Sequence, residues 1–213
     1  MRKFFFAFAV FSLLVGSAVN AKEYVFDKAH SHVGFTVKHV LSMVPGEFKE
    51  YDGSFSFDEK KPEASKVKVT IQAASINTNV DRRDAHLKSP DFFDVEKFPT
   101  LTFVSKKVSK GEGENKYKVE GDLTIHGVTK AVTLDVEYLG TDTMMGMETI
   151  GFSATTTIDR RDFGLVWGET MASAAGNLIV ANKVTINLEI TGMTKEAMEK
   201  MKKGASKKDE KKD

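Results

Sequence analysis

Cysteine is absent from the 213-residue chain. Its absence excludes disulfide bonds, thiolate nucleophiles and thiolate metal ligands, and it also excludes attachment to a membrane through a lipidated cysteine. The sequence contains no Gly-x-Ser-x-Gly elbow, no Gly-rich phosphate loop and no His-Glu-x-x-His motif. The formal net charge is only +1, and nothing indicates the clustered basic face that nucleic-acid binding needs. The fold must therefore depend on an apolar core, and no sequence motif argues for an enzyme.

The first 21 residues have the pattern of a secretory signal peptide. Arg2 and Lys3 precede an apolar run from Phe4 to Val15, and small residues follow as far as Ala21. A transmembrane anchor needs about 20 apolar residues, and this run is shorter. We predict cleavage after Ala21 and an exported mature chain that begins at Lys22.

The C-terminal segment 195–213 is a charged tail with eight Lys and five acidic residues. The sequence predicts a short helix over 195–203 and disorder from Gly204 onward. A basic arm that touches a membrane or another polyanion is one interpretation. A solvated tail is the other, and the interspersed acidic residues favour it.

Between the two ends, at residues 22–194, the chain alternates apolar and polar residues almost throughout, which is typical of antiparallel strands with one dry face. The clearest runs are 66–73, 117–125, 128–138 and 184–190, and less regular ones are 23–26, 31–38, 46–57, 100–108 and 149–158. No strand–helix alternation occurs, so a parallel α/β sheet is excluded. We predict an all-β fold, in which an antiparallel barrel of about eight strands removes the sheet edges. A two-sheet sandwich has the same periodicity and stays open at this point.

One segment, 83–98, breaks the strand pattern and predicts a short helix or ordered loop inserted between strands. It carries Phe92, Phe93 and Phe98 within a chain that is rich in Phe. Apolar loop residues must bury against something, and a lid over the barrel mouth would bury them and line a ligand cavity. Ordinary core packing is the alternative.

The histidines give weak signals. His30 and His32 lie two apart in an apparent strand, which would place both on one face, where they could share a metal with His39, His86 or His126. A structural pair of histidines is the simpler interpretation, and we predict no metal and no cofactor.

The tetrapeptide Asp-Arg-Arg-Asp occurs twice, at 81–84 and at 159–162, each time directly after a strand. Arg and Asp form bidentate, charge-assisted hydrogen bonds. Two functions are open: a polar rim that receives the head of an amphiphile, or ion networks that pin two loops. Four antiparallel steps separate the strands that precede the two segments, so we predict that both segments lie at the same end of the barrel.

Four motifs resemble those of the YceI-like family, in the order in which that family has them. They cover nearly the whole chain after the signal peptide and read Asp27-x-x-His30-Ser31-His32-Val33-Gly34-Phe35, Arg83-Asp84-x-His86-Leu87-x-Ser89-x-Asp91-Phe92-Phe93-Asp94, Gly121-Asp122-Leu123-Thr124-Ile125-His126-Gly127-Val128-Thr129 and Ile158-x-Arg160-x-Asp162-Phe163-Gly164. The resemblance implies a lipocalin-like antiparallel barrel in the bacterial periplasm that binds a polyisoprenoid, an isoprenoid quinone or a related lipid. It implies no settled catalytic mechanism, and the charged tail has no counterpart in these motifs.

We therefore expect a non-catalytic carrier of a long apolar molecule. An enzyme acting on a lipid or quinone through His30, His32 or His86, and a binder of apolar toxins or antibiotics, are the alternatives. A homodimer is a further expectation, because a Phe-rich lid can leave an apolar patch exposed. On the aromatic and polar-rim arguments, the expected ligand contacts are Phe35, Phe48, Arg83, Asp84, His86, Phe92, Phe93, Phe98, Phe103, Arg160, Asp162 and Trp167.

Overall fold

A computed structural model describes residues 21–144 and 146–209, so the predicted signal peptide lies outside the described residues except for Ala21. Strands dominate, and two α-helices accompany them. The strands are β1 (Lys22–Phe26), β2 (His32–His39), β3 (Ser42–Phe48), β4 (Tyr51–Phe57), β5 (Lys66–Gln72), β6 (Ile76–Asn77), β7 (Thr100–Lys110), β8 (Lys116–Ile125), β9 (Val128–Met144), β10 (Met147–Asp159) and β11 (Val180–Thr194). The helices are α1 (Asp81–Lys88) and α2 (Lys195–Asp209).

Eight strands form a closed antiparallel barrel. Their order is β1-β4-β5-β7-β8-β9-β10-β11, and pairing between β1 and β11 closes the ring. This closure confirms the predicted eight-stranded antiparallel barrel and rules out the sandwich, in which two sheets would keep separate edges.

The remaining three short strands extend this wall. Strand β11 pairs with β1 through residues 192–194 and with β2 through residues 180–189, so β1 and β2 form one interrupted strand. Strands β3 and β4 are likewise two parts of a bent strand, and β6 continues β5 by pairing with β3. The predicted run 46–57 is thus divided by a bend at residues 49–50, and β6 was not predicted.

The alternation seen in the sequence fixes which side chains face inward. In β5, Val67, Val69 and Ile71 line the barrel interior, whereas the intervening Lys68 is exposed. The same register holds in β8, β9 and β11, where the inward residues are Val119, Leu123, Ile125, Val132, Leu134, Val136, Val184, Ile186, Leu188 and Ile190. Burial of one apolar face therefore specifies the register of each strand.

The two ends of the barrel differ in their connections. At the end that we call the lid end, β6 leads into α1 and the segment 89–99, and β10 leads into the long segment 160–179. At the opposite end, which we call the turn end, shorter connections join β4 to β5, β7 to β8 and β9 to β10. Helix α2 follows β11 at the turn end and packs Ala197 against the barrel.

The predicted insertion at 83–98 is helical only in its first part, because α1 ends at Lys88 and an irregular segment follows. In the tail, helix α2 continues to Asp209, six residues beyond the short helix predicted over 195–203. The helix bounds thus differ from those predicted, whereas the disorder expected at the C-terminal end of the tail stays a prediction. Lys and Ala favour helix at these positions and outweigh the single glycine.

Candidate functional site

An elongated apolar cavity occupies the barrel. Its volume is about 280 Å³, and its lining residues come from strands on all sides and from the lid end. It extends from Leu165 and Val180 at the lid end to Tyr117 and Ser65 near the turn end. Most lining residues are aliphatic or aromatic, so the interior is suited to a hydrocarbon chain.

Aromatic side chains of the inserted segment cover the lid end. Phe92 is buried, Phe93 is half-buried, and both line the cavity together with Leu87 of α1. The ring of Phe93 meets Phe48 of β3 edge-on, with 5.8 Å between the ring centroids. On its other side, Phe92 packs against Trp167 at 5.2 Å. The segment thus spans the mouth from β3 to the loop after β10, as the lid hypothesis predicts.

The first Asp-Arg-Arg-Asp segment forms the start of α1 and anchors it to the strand before it. Asp84 accepts hydrogen bonds from the backbone N–H of Thr78, at 2.9 Å, and from the Thr78 hydroxyl. Arg83 donates from Nε to Thr78 Oγ1 at 2.7 Å and from Nη2 to the Thr78 carbonyl at 2.8 Å. Both side chains bond within their own loop, as in the loop-pin interpretation.

The second segment turns the chain away from β10. Asp159 accepts hydrogen bonds from the backbone and the guanidinium of Arg161, and these bonds lower the pKa of its carboxyl to about 2. Lys183 adds a weaker attraction from 3.8 Å. A stable Asp159 carboxylate therefore fixes the backbone where the long segment 160–179 begins.

Arg160 is the buried cation of the site. It is only 4% exposed and lines the cavity, and burial lowers the pKa of its guanidinium below the usual value. It donates from Nε to the Ala181 carbonyl at 3.1 Å, from Nη2 to Asn182 Oδ1 at 3.1 Å, and from Nη1 to the Leu165 carbonyl. Arg160 therefore ties both ends of the segment 160–179 to the barrel.

The two segments lie at the same end, as predicted from the strand count. The ring of Trp167, which follows the second segment, meets the ring of His86 in α1 at 4.9 Å. The count holds because β6 pairs with β3 and adds no step between β5 and β10. Among the described residues, no salt bridge joins one segment to the other. Aromatic rings connect the two regions, and the Arg and Asp side chains that were expected to lie close together do not pair across them.

Half of the twelve predicted contact residues line the cavity, namely Phe35, Phe48, Phe92, Phe93, Phe103 and Arg160. The other six lie behind or beside the lid. Trp167 and His86 support Phe92 from outside, and Phe98 packs on the ring of His126 at 4.4 Å. Arg83 and Asp84 hold α1, and Asp162 is exposed.

The histidines that suggested a metal are paired separately. His30 precedes β2 and has Nδ1 at 2.6 Å from Oδ2 of the buried Asp27. The Nδ1 of His32 lies 3.3 Å from Glu47 Oε2 on the outer face of the barrel. The two rings therefore have different carboxylate partners, and within residues 21–144 and 146–209 no cluster of three potential metal ligands occurs.

The sequence-based list of contacts missed the aliphatic wall and part of the floor. The aliphatic lining residues of β5, β8, β9 and β11 outnumber the aromatic lining residues. Tyr117 and Ser65 extend the lining toward the turn end. The aliphatic residues were detectable, since period-two alternation marks them as inward-facing. Ser65 carried no such signal, and its buried hydroxyl has no hydrogen-bond partner among the described residues.

The profile of the YceI-like domain matches residues 24–192. The chain belongs to the YceI-like family. A curated relative, Protein YceI of Salmonella arizonae, is 43% identical to it over 187 residues, which cover 85% of this chain and 96% of the relative.

Several solved structures share the fold of this YceI-like protein. BcnA of Burkholderia cenocepacia has a TM-score of 0.69 at 29% identity and covers 78% of this chain and 98% of its own. The YceI protein of Campylobacter jejuni has a TM-score of 0.63 at 39% identity and covers 79% and 96%. A polyisoprenoid-binding domain from Saccharophagus degradans matches at 17% identity with a TM-score of 0.59, covering 82% of this chain and 99% of its own, and this likeness concerns the fold alone.

Neither α1 nor the described part of α2 is long and apolar enough to cross a membrane.

Proposed function

We propose that the protein binds one long-chain apolar molecule inside the barrel and carries it through the periplasm. The ligand class is a polyisoprenoid, an isoprenoid quinone or a related lipid. The observation that carries the proposal is the cavity of about 280 Å³, enclosed by a closed barrel and lined by apolar side chains. The polyisoprenoid-binding domain from Saccharophagus degradans has the same fold, and the ligand in its name belongs to this class.

The driving force for such binding is hydrophobic. Burial of apolar surface gains about 25 cal/mol per Å², so a hydrocarbon chain that cannot cross an aqueous compartment alone is stabilised in the barrel without covalent chemistry. Phe35, Phe48, Phe92, Phe93 and Phe103 offer large apolar surfaces to the chain. In this proposal they contact the ligand, and the residues beside the lid hold the lid in position.

The positions of the histidines support a carrier over an enzyme. His30, His32 and His86 do not line the cavity in the described part of the chain, so none is placed to exchange a proton with a ligand inside the barrel. An antibiotic or another apolar toxin would use the same cavity, because hydrophobic burial is non-directional. Ligand identification therefore has to separate these cargo classes.

Solvent extraction of the protein purified from its native host, followed by mass spectrometry, tests the proposal. We expect one isoprenoid or related lipid per chain. A protein that contains no apolar molecule, yet binds a metal ion and turns over an added quinone, would replace the carrier with the enzyme alternative. Heat-treated protein carried through the same extraction is the control for lipid that adsorbs to exposed surface.

Export is part of the proposal, and it rests on the N-terminal pattern of charge and apolar residues. Periplasmic extracts should contain a mature chain that begins at Lys22. Intact mass measurement distinguishes this chain from the uncleaved one, and recovery of full-length protein only from the cytoplasm would contradict the localisation.

A further inference from the structure

Large apolar side chains are exposed mainly around the lid end. Eight are exposed in the described residues, and five of them lie at this end, four in connections and Met43 at the start of β3: Leu41, Met43, Val80, Val166 and Met171. Isolated exposed apolar residues are normal on a protein surface. These five, however, surround the mouth of an apolar cavity.

Backbone and ring contacts connect the segments that carry these five residues, which we call the apolar rim. The backbone N–H of Val40, at the tip of the β2–β3 hairpin, donates to the Ile179 carbonyl at 3.1 Å, and Ile179 N–H donates to the Met171 carbonyl at 2.9 Å. The hairpin tip is therefore a neighbour of the loop that carries Met171. Farther along that loop, Trp167 packs on α1, whose first turn follows Val80. The rim thus runs from the hairpin across the long loop to the lid helix.

The hairpin tip has an unusual sequence for a tight turn. Its two central residues are Val40, with a φ of 51°, and Leu41, which is 84% exposed. Turns of this length favour Asn or Gly where φ is positive, and a β-branched residue there is strained. Turn stability does not account for the exposed Leu41, whereas transfer of Leu41 and the nearby Met43 into an apolar phase gives both exposed side chains a favourable environment.

The charge of the tip selects the partner surface. Lys38 and His39 precede Leu41 in the chain, and the hairpin has no acidic residue between Lys38 and Glu47. An apolar tip with Lys38 beside it complements the acyl chains and the anionic head groups of a lipid bilayer. A bilayer is also the phase in which a long-chain apolar ligand resides before and after transport.

We propose that the lid end docks on the surface of a lipid bilayer, with Leu41 and Met43 inserted at the acyl boundary, and that the ligand enters or leaves the barrel there. This inference rests on the proposed function for its cargo. It adds a membrane contact that a carrier releasing its ligand only to another protein would not need.

The absence of cysteine allows a clean fluorescence test. Leu41→Cys is labelled with a polarity-sensitive dye, and the control carries the same dye on Glu114→Cys, in an exposed turn at the opposite end. Vesicles of phosphatidylethanolamine and phosphatidylglycerol should shift the emission of the dye at position 41 to the blue. Brominated lipids should quench that dye and leave the one at position 114 unchanged.

A second variant tests the insertion without a dye. Leu41→Ser combined with Met43→Ser should reduce co-flotation with the same vesicles by at least about tenfold, while Leu139→Ser, on the barrel wall, should float like the wild type. Ligand content after solvent extraction should be equal in all three proteins, because none of these residues lines the cavity.

The outcomes separate docking from ligand binding. A wild type that contains ligand but neither floats nor shows the emission shift overturns the docking proposal and leaves the carrier intact. A wild type that floats but contains no apolar ligand overturns the carrier. A blue shift that appears without vesicles, and that grows with protein concentration together with a dimer in light scattering, assigns the rim to a second copy of the chain and overturns the bilayer proposal.

Discussion

The lid end and the turn end of the barrel are built from different interactions. At the turn end, Phe57 packs against Tyr138 and Phe152, at 5.0 and 5.1 Å, and Tyr24 donates a hydrogen bond of 2.7 Å to Glu148. Each of these residues lies on a strand that is paired on both sides within the barrel. At the lid end, Phe92 and Phe93 are held by an irregular segment, and their ring neighbours are Trp167 in the loop after β10 and Phe48 at the end of β3.

This difference separates stability from access. Side chains fixed by paired strands move only if the barrel opens, whereas a lid held by loop contacts can shift while the strands stay paired. We therefore expect substitutions at the turn end to act on the free energy of unfolding and substitutions in the lid to act on ligand retention. Two experiments test this division and two more measure stability at the lid end, from the largest expected effect to the smallest.

Ile150→Ala should be the most damaging change to stability. Ile150 is 1% exposed in β10 near the turn end and does not line the cavity. Removing its side chain should lower the free energy of unfolding by about 2–5 kcal/mol, measured by urea denaturation. Ligand per folded molecule should stay at the wild-type level. A loss of ligand without a loss of stability would reverse the roles that we assign to the two ends.

Phe92→Ala combined with Phe93→Ala should show the opposite pattern. Both rings line the cavity at the lid end, and removing them exposes the ligand to water, so lipid retention should fall at least about tenfold. The circular dichroism spectrum should keep its β-sheet shape, because barrel closure does not involve these residues. An unfolded double variant whose remaining folded molecules retain ligand normally would identify the two residues as core.

Two glycines with the same φ of 73° give a matched pair. Gly127 lies in the β8–β9 turn at the lid end, where an added Cβ would be 2.5 Å from a ring carbon of Phe98, whereas a Cβ on Gly146 at the turn end meets nothing within 4 Å. Both Ala variants should have the left-handed backbone strain of about 1–2 kcal/mol. Gly127→Ala should cost about 1–3 kcal/mol more in thermal or urea unfolding, and equal costs would show that Phe98 yields freely.

The loss of folding stability at acid pH should depend on Asp159. Its pKa is about 2 in the folded chain, below the ordinary 3.8, chiefly because Arg161 donates hydrogen bonds to it. A lowered pKa contributes stability that is present above the ordinary value and is lost as the pH falls toward 2. Urea midpoints measured across this window should fall less steeply in Asp159→Asn than in the wild type. If the urea midpoints of both proteins fall in parallel with pH, Asp159 does not contribute to the acid sensitivity of the fold.

Much of the fold followed from the sequence because alternation is a local signal. The runs over β5, β8, β9 and β11 were predicted with the correct inward faces. The number of strands favoured a closed barrel but left the sandwich open, and the family resemblance implied the barrel. The runs 23–26 and 31–38 were predicted as separate strands, but the bend at residues 49–50 and the short β6 were not predicted, since they depend on pairing with strands distant in the chain.

The candidate site was only partly predictable. Phe92 and Phe93 stood out because apolar residues outside strands need a partner, and the strand count placed the two Asp-Arg-Arg-Asp segments at one end. Which arginine is buried was not readable, because Arg83 and Arg160 occupy similar tetrapeptides. Only the fold places Arg160 against the cavity and directs Arg83 to Thr78.

The central claim is that the barrel interior holds the ligand, and native mass spectrometry of the wild type and of Ala154→Phe tests it most directly. Ala154 lies in β10 and lines the cavity, so a phenylalanine there fills space that the ligand would occupy. We expect the wild type, purified from its native host, to carry one bound lipid per chain and the folded variant to carry none or much less. Equal lipid on both proteins, or a bare chain in both, would contradict the account.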